Sequence, residues 1–177
     1  MKSIHSLLLL SMVLLVSCIV AGSPGAQDQQ ASAIFMNAAG KPIGTATLTQ
    51  TPSGVLIDVT ISGVPAGTHA FHIHETGKCE APNFTSAGDH YNPMDAKHGY
   101  VTGNHHHAGD MPNQFVQNDG VLRTQVLNPQ VTLGAGKATL FDADGSALIL
   151  HVGTDDYTSQ PAGAAGDRFA CAVIKQG

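Results

Sequence analysis

The sequence predicts an all-β fold, a sandwich or flattened barrel, on three grounds. Twenty glycines, nine prolines and no tryptophan accompany many Val, Thr, Ile and Ala residues, a composition suited to short strands joined by tight turns. The run Thr45-Ala46-Thr47-Leu48-Thr49 alternates polar and apolar side chains with the two-residue period of a half-buried strand. Eight or nine short runs of this general kind follow one another with turn residues between them, and 177 residues suffice for one domain with a real core.

Taken in chain order, the first segment is not part of that domain. Lys2 opens a short positive region, and residues 7–16 form an apolar run too short to span a bilayer as a mature helix, so it reads as an export signal. The run closes on Leu15-Val16-Ser17-Cys18, which resembles the lipobox of bacterial lipoproteins and makes Cys18 the candidate for lipidation, the only membrane attachment expected. The competing reading is cleavage at a small-residue site such as Val20-Ala21-Gly22, which discards Cys18 and releases a soluble protein. Both place the domain outside the cytoplasm, as a periplasmic or membrane-anchored protein or as a secreted one. Residues 1–22 are thus the export segment, 23–32 a flexible tether, and 33–177 the folded domain.

Strands are expected at 33–37, 44–50 and 55–61, with turns at Ala39-Gly40, Pro52-Ser53-Gly54 and 63–67. A fourth run covers 69–75, and later ones lie at 122–126, 131–133, 137–142, 147–151 and 168–174. Two stretches, 76–119 and 152–167, fit neither strand nor helix. Loops this long in a small domain are functional or disordered, and the histidines and cysteine of the first decide for function. Metal ligation and a disulfide can order a segment with too little apolar surface to order itself.

Lys and Arg number 8 against 13 Asp and Glu, a formal charge of -5, so no basic field exists to attract nucleic acid. Of three cysteines, either processing route removes Cys18 from the thiol inventory. Cys79 and Cys171 remain, and an oxidising compartment favours a disulfide between them.

Histidine is the unusual residue: ten are present, most of them crowded between His69 and His107. His72 and His74 lie two apart in a strand-like run and project from one face, so both can reach one metal, and His151 at the end of another run can add a third imidazole. An all-nitrogen set without thiolate suits Cu(II) or Zn(II). His90, His98, His107 and Asp110 within the long loop make three imidazoles and one carboxylate, the tetrahedral complement of structural zinc. If His90 loses both ring protons it can serve both sites. His69 is expected to pack or hydrogen-bond structurally, and His105 and His106 to face solvent, with a weak accessory metal site at these two as the alternative.

The motifs Phe71-His72-Ile73-His74-Glu75, Ala87-Gly88-Asp89-His90-Tyr91-Asn92-Pro93, Lys97-His98-Gly99, His107-Ala108-Gly109-Asp110, Ile149-Leu150-His151, Asp155-Asp156 and Gly166-Asp167-Arg168-Phe169-Ala170-Cys171 resemble, in order and spacing, those of the copper/zinc superoxide dismutase family. The resemblance implies an eight-stranded Greek-key flattened barrel with two long functional loops. It implies copper on His72, His74, His90 and His151, and zinc on His90, His98, His107 and Asp110, with His90 as the bridge. Asp155 matches a carboxylate that hydrogen-bonds one histidine from each site, and Arg168 a residue that holds a small anion at the mouth of the copper channel. The implied reaction is disproportionation of superoxide by Cu(II)/Cu(I) cycling, with His90 and Arg168 as the catalytic side chains; the alternative is a related domain that sequesters or delivers copper and zinc without turnover. Either a monomer or a homodimer is compatible with the sequence. Two departures bear on rate: 152–167 holds Asp155, Asp156 and Asp167 but no lysine, leaving Arg168 to act with Lys78, Lys97 or Lys137, and Ala162 stands where relatives often have a hydroxyl residue.

Overall fold

Ten strands form among residues 29–177, the part of the chain that this computed structural model describes. The export signal, Cys18 and tether residues 23–28 lie outside the described residues. The strands are β1 (Gln30–Asn37), β2 (Pro42–Thr51), β3 (Gly54–Ser62), β4 (Gly67–His69), β5 (Phe71–His74), β6 (Gln114–Val116), β7 (Val121–Asn128), β8 (Ala147–His151), β9 (Arg168–Val173) and β10 (Lys175–Gln176). One eight-stranded sheet runs in the order β5-β8-β9-β1-β2-β3-β7 with β10 added on β1, and β4 and β6 make a second, two-stranded sheet. Every strand pair is antiparallel. The neighbours β3 with β7 and β1 with β9 require the long return connections of a Greek key.

Period-two alternation decides which face is inside. In β3, Val55, Ile57, Val59 and Ile61 are buried while Asp58 and Thr60 between them are exposed. Phe35 of β1, Leu48 of β2, Phe71 and Ile73 of β5, Leu122 of β7, Leu148 and Leu150 of β8, and Ala170 and Ala172 of β9 join them in one core. Strands from the whole length of the sheet share that core because the sheet curls on itself.

β5 and β8 are buried on both faces. Their second face is covered by the long loop, which brings a small core of its own: Phe84 and Ala87, around a 3₁₀ turn at Thr85–Ala87, pack with Ala147, Ile149 and Cys171. The expected disulfide is present, joining Cys79 of the loop to Cys171 of β9 across 92 residues. On the chain-entropy estimate, closing such a loop contributes about 4 to 5 kcal/mol.

Four expectations change. β1 begins at Gln30 rather than at 33, because Gln30 and Ala31 already pair with Thr49 and Leu48 and Ala31 is buried; the last residues assigned to the tether are strand. The run 69–75 divides at Ala70, whose N–H bonds Gly153 O, into β4 paired with β6 and β5 paired with β8. Segments 131–133 and 137–142 are not strands. Gln50 Oε1 takes the Leu133 N–H (2.8 Å) and the Thr132 hydroxyl (2.9 Å), and the Tyr91 hydroxyl donates to Thr139 O (2.6 Å), so side chains occupy the groups that a neighbouring strand would need. Only an isolated bridge, Thr132 to Thr139, remains, while Val131, Leu133 and Leu140 still fill the core. Finally, the long loop contains β6, and β10 follows β9.

Candidate metal centre

The same alternation that sends Phe71 and Ile73 inward turns His72 and His74 to the outer face of β5. On β8, paired antiparallel to it, Leu148 and Leu150 point inward and His151 falls on the outer face. The long loop then lays two extended pieces beside β5: the Ile73 N–H donates to Gly109 O and the Tyr91 N–H to Ile73 O, both 2.9 Å. These place His90 opposite His74 and Asp110 opposite His72. Gly109 is required at this approach, since a Cβ there would stand 2.2 Å from Ile73 O.

Two clusters result, each with ligand atoms within 4.8 Å of one another: His72, His74, His90 and His151, and His90, His98, His107 and Asp110, all buried. In the first, one ring nitrogen of every histidine is anchored. His72 Nε2 meets Asp155 Oδ2 (2.8 Å), His74 Nδ1 Gly88 O (2.9 Å), His90 Nδ1 Asp110 Oδ1 (2.9 Å) and His151 Nδ1 Gly166 O (3.2 Å). The other nitrogen, His72 Nδ1, His74 Nε2, His90 Nε2 and His151 Nε2, is buried without a hydrogen-bond partner. Four orphaned acceptors in one place are costly, and a cation coordinated by all four satisfies them together. Burial also keeps these rings neutral, as ligands must be: it pushes His74 well down, His90 to about 4 and His151 to about 3. The donor set fits copper.

In the second cluster, Nδ1 of His90, His98 and His107 lie 2.9, 3.0 and 3.5 Å from Asp110 Oδ1. Ligand atoms tetrahedrally placed around zinc stand about 3.3 Å apart, so the set fits zinc. Burial disfavours the Asp110 carboxylate, but the nearby His107 ring, the hydrogen-bonded His90 and His98 rings and the Gly99 N–H overcome it and hold the group ionised, well below the usual carboxylate range. His90 thus turns Nδ1 to one cluster and Nε2 to the other.

Asp155 spans both clusters: Oδ2 meets His72 and Oδ1 meets His98 Nε2 at 3.0 Å. Its main chain is clamped by Asn113, which accepts its N–H and donates to its carbonyl, both at 2.9 Å. Gly163, at φ 66°, lies against it so closely that a Cβ would be 1.9 Å from Asp155 Oδ1. Arg168 donates to Phe84 O (2.5 Å) and Gly88 O (2.6 Å), carbonyls of the loop tied down by the disulfide. Three of its five N–H donors are left. With His74, His90 and His151 it lines a cavity of about 410 Å³, where Ala162 also lies.

None of Lys78, Lys97 and Lys137 lines that cavity; the charges beside Arg168 are Glu75 and Asp89. The two acids stand there because Glu75 follows directly on β5 and Asp89 directly precedes His90. His69 has the structural role expected, its ring nitrogens 2.9 Å from His151 O and Pro65 O. His105 is exposed, but His106 is half-buried, its ring edge-on to Tyr100 at 4.5 Å. Sequence reasoning missed Asn113, the carbonyls of Gly88 and Gly166, and Gln160, which brackets the main chain of His98. Backbone carbonyls leave no side-chain signal, and the two amides belong to no recognisable motif.

Known proteins agree with this geometry. Residues 42–174 match the profile of the family described as copper/zinc superoxide dismutase. A Cu-Zn superoxide dismutase of Aquifex aeolicus (strain VF5) is 48% identical over 168 residues, covering 94% of this chain and 98% of that protein. One of Caulobacter vibrioides is 40% identical over 148 residues, covering 82% of this chain and 85% of its own. The crystal structure of a SOD-like protein from Bacillus subtilis superposes with a TM-score of 0.77 at 35% identity, covering 80% of this chain and 95% of that one. With ligand geometry, fold and sequence in agreement, the chain belongs to the copper/zinc superoxide dismutase family.

Proposed function

We propose that the protein is a superoxide dismutase, an oxidoreductase that converts two superoxide anions and two protons into dioxygen and hydrogen peroxide. The observation that carries this reading is the set of four buried, unpartnered imidazole nitrogens whose companion nitrogens are all anchored. His72, His74, His90 and His151 hold copper, and His90, His98, His107 and Asp110 hold zinc. Copper supplies the one-electron redox step that neither the side chains nor zinc can perform.

The chain's own residues do the rest. Arg168, always charged, holds the superoxide anion beside His151 and His90 with the donors that Phe84 and Gly88 leave free. His90 lines the same cavity, and its buried Nε2 is the atom that takes and returns a proton for the peroxide, while Nδ1 stays fixed on the Asp110 side. Asp155 orients one ring from each site and keeps their relative placement. Burial of the cluster excludes bulk water and larger molecules.

The signal-like segment and the Leu15-Val16-Ser17-Cys18 motif support export, with lipidation at Cys18 as the proposed anchor and the mature domain acting on superoxide outside the cytoplasm. The mass of the mature N-terminus distinguishes a diacylated Cys18 from cleavage beyond it. For the activity, superoxide disproportionation is measured on protein loaded with one copper and one zinc. Fast turnover that is lost in His151→Ala is the expected outcome; bound metals without turnover would replace the enzyme by a metal-handling protein.

A further inference from the structure

His105, His106 and His107 stand in succession where the long loop returns to β5, and the zinc cluster uses only the last. Exposure falls step by step along them: His105 is exposed, the side chain of His106 keeps 25% of its surface, His107 10% and Asp110 1%. His98 is fully buried and His90 is 4% exposed, and His90 and His107 also border the cavity at Arg168, so the cluster is approached from two sides. His106 Nδ1 lies 2.9 Å from His107 O, and the Gln130 amide nitrogen lies 3.1 Å from Nδ1 and 3.0 Å from Nε2, a single amide contact that an ion bound at Nε2 would displace. The same ring reaches inward as well, Nδ1 lying 3.9 Å from Asp110 Oδ2, the oxygen that does not face the three imidazoles. Tyr100 supports this placement from both sides, its ring against His106 and its hydroxyl donating to Asp110 O (3.0 Å).

His105 and His106 both line a cavity of about 630 Å³, together with Met94, Asp95, Lys97 and Gln130. It shares no lining residue with the cavity at Arg168. We propose that His105 and His106 are an uptake site for zinc(II): they capture the ion from solvent on this side and pass it by ligand exchange to His107 and Asp110, apart from the path taken by superoxide. Imidazole is a suitable carrier, since a neutral ring nitrogen binds zinc yet yields it to a site with more ligands. The proposal rests on the zinc reading of the buried cluster, and its test separates the two.

Metal-free protein is mixed with excess Co(II), whose tetrahedral visible spectrum reports arrival in the three-imidazole, one-carboxylate site, and the rate is followed by stopped flow. His105→Ala, which touches only an exposed ring, and the double variant His105→Ala/His106→Gln are compared with the native chain. A capture step raises the local ion concentration, so the double variant is expected to fill at least about five-fold more slowly and the single variant to fall between. The final spectrum and equilibrium affinity should stay unchanged, because uptake and release slow together. Uptake at the native rate in the double variant would overturn the proposal, as would a loss of affinity at unchanged rate, which makes His106 an equilibrium ligand. A native protein that never develops the tetrahedral spectrum would overturn the zinc reading itself.

Discussion

Asp155 is the side chain through which the two clusters depend on each other, since its oxygens hold His72 and His98 while its own main chain is held by Asn113. Asp155→Ala should weaken binding of both metals, by about 10- to 100-fold each, as measured by competition with chelators. Gly163→Ala reaches the same bridge sterically: the added methyl displaces Asp155 Oδ1, so both affinities should fall although no ligand has changed. Loss of affinity at one site only would contradict a shared bridge. At the mouth, Asp89 faces Arg168 and offsets part of the downward shift that burial imposes on the guanidinium. Asp89→Asn should therefore raise the superoxide rate by about two- to four-fold at low ionic strength and by little at high salt. An unchanged salt dependence would remove Asp89 from the approach path. Histidines and acids were legible in the sequence because ligand spacing is a side-chain property. The anchors of their second nitrogens, Gly88 O and Gly166 O, were not, since any residue carries a carbonyl.

Among the elements, the loop from Cys79 to Gly88 couples a covalent tie to the site. Cys171 holds Cys79, Phe84 and Ala87 fill the small second core, and the carbonyls of Phe84 and Gly88 hold Arg168. Replacing both cysteines by serine should cost about 2 to 5 kcal/mol in denaturant unfolding. Activity should fall further than the metal content, because Arg168 loses its supports while the copper ligands keep theirs. β3, β8 and β9 were readable from alternation or apolar runs that meet at one core. The segments 131–133 and 137–142 have the same apolar residues, yet their backbone groups are engaged by Gln50 and Tyr91. A partner 82 or 83 residues away along the chain cannot be seen in a local pattern. β6 escaped for the opposite reason: three residues within a long irregular loop carry too short a pattern to distinguish.

For the whole molecule, the metal-free protein should show its centre in the pH dependence of stability. His90, near 4, and His151, near 3, are buried as neutral rings, against an ordinary value of 6.5. Below 6.5 the unfolded chain takes up protons that the folded chain refuses, so stability falls as pH drops toward those values. His98 acts in the other direction. Burial opposes its charge, but hydrogen bonds to Asp110 and Asp155 raise it to about 9, so its contribution is full below 6.5 and is lost as pH rises through 9. The urea midpoint of the metal-free protein should therefore peak near about pH 6.5 and decline toward both about pH 5 and about pH 9. A midpoint that rises steadily across that range would contradict the His98 arrangement. Bound metal replaces these protons, and the high-pH decline should disappear when zinc is added.

The proposed sharing of His90 between two different metals is the centre of this account, and anomalous diffraction from crystals of the oxidised, copper- and zinc-loaded protein tests it most directly. Data at the two absorption edges should place copper among His72, His74, His90 and His151 and zinc among His90, His98, His107 and Asp110, with one imidazole between them. Copper and zinc peaks elsewhere, or a single metal with His90 bound on one side only, would contradict it.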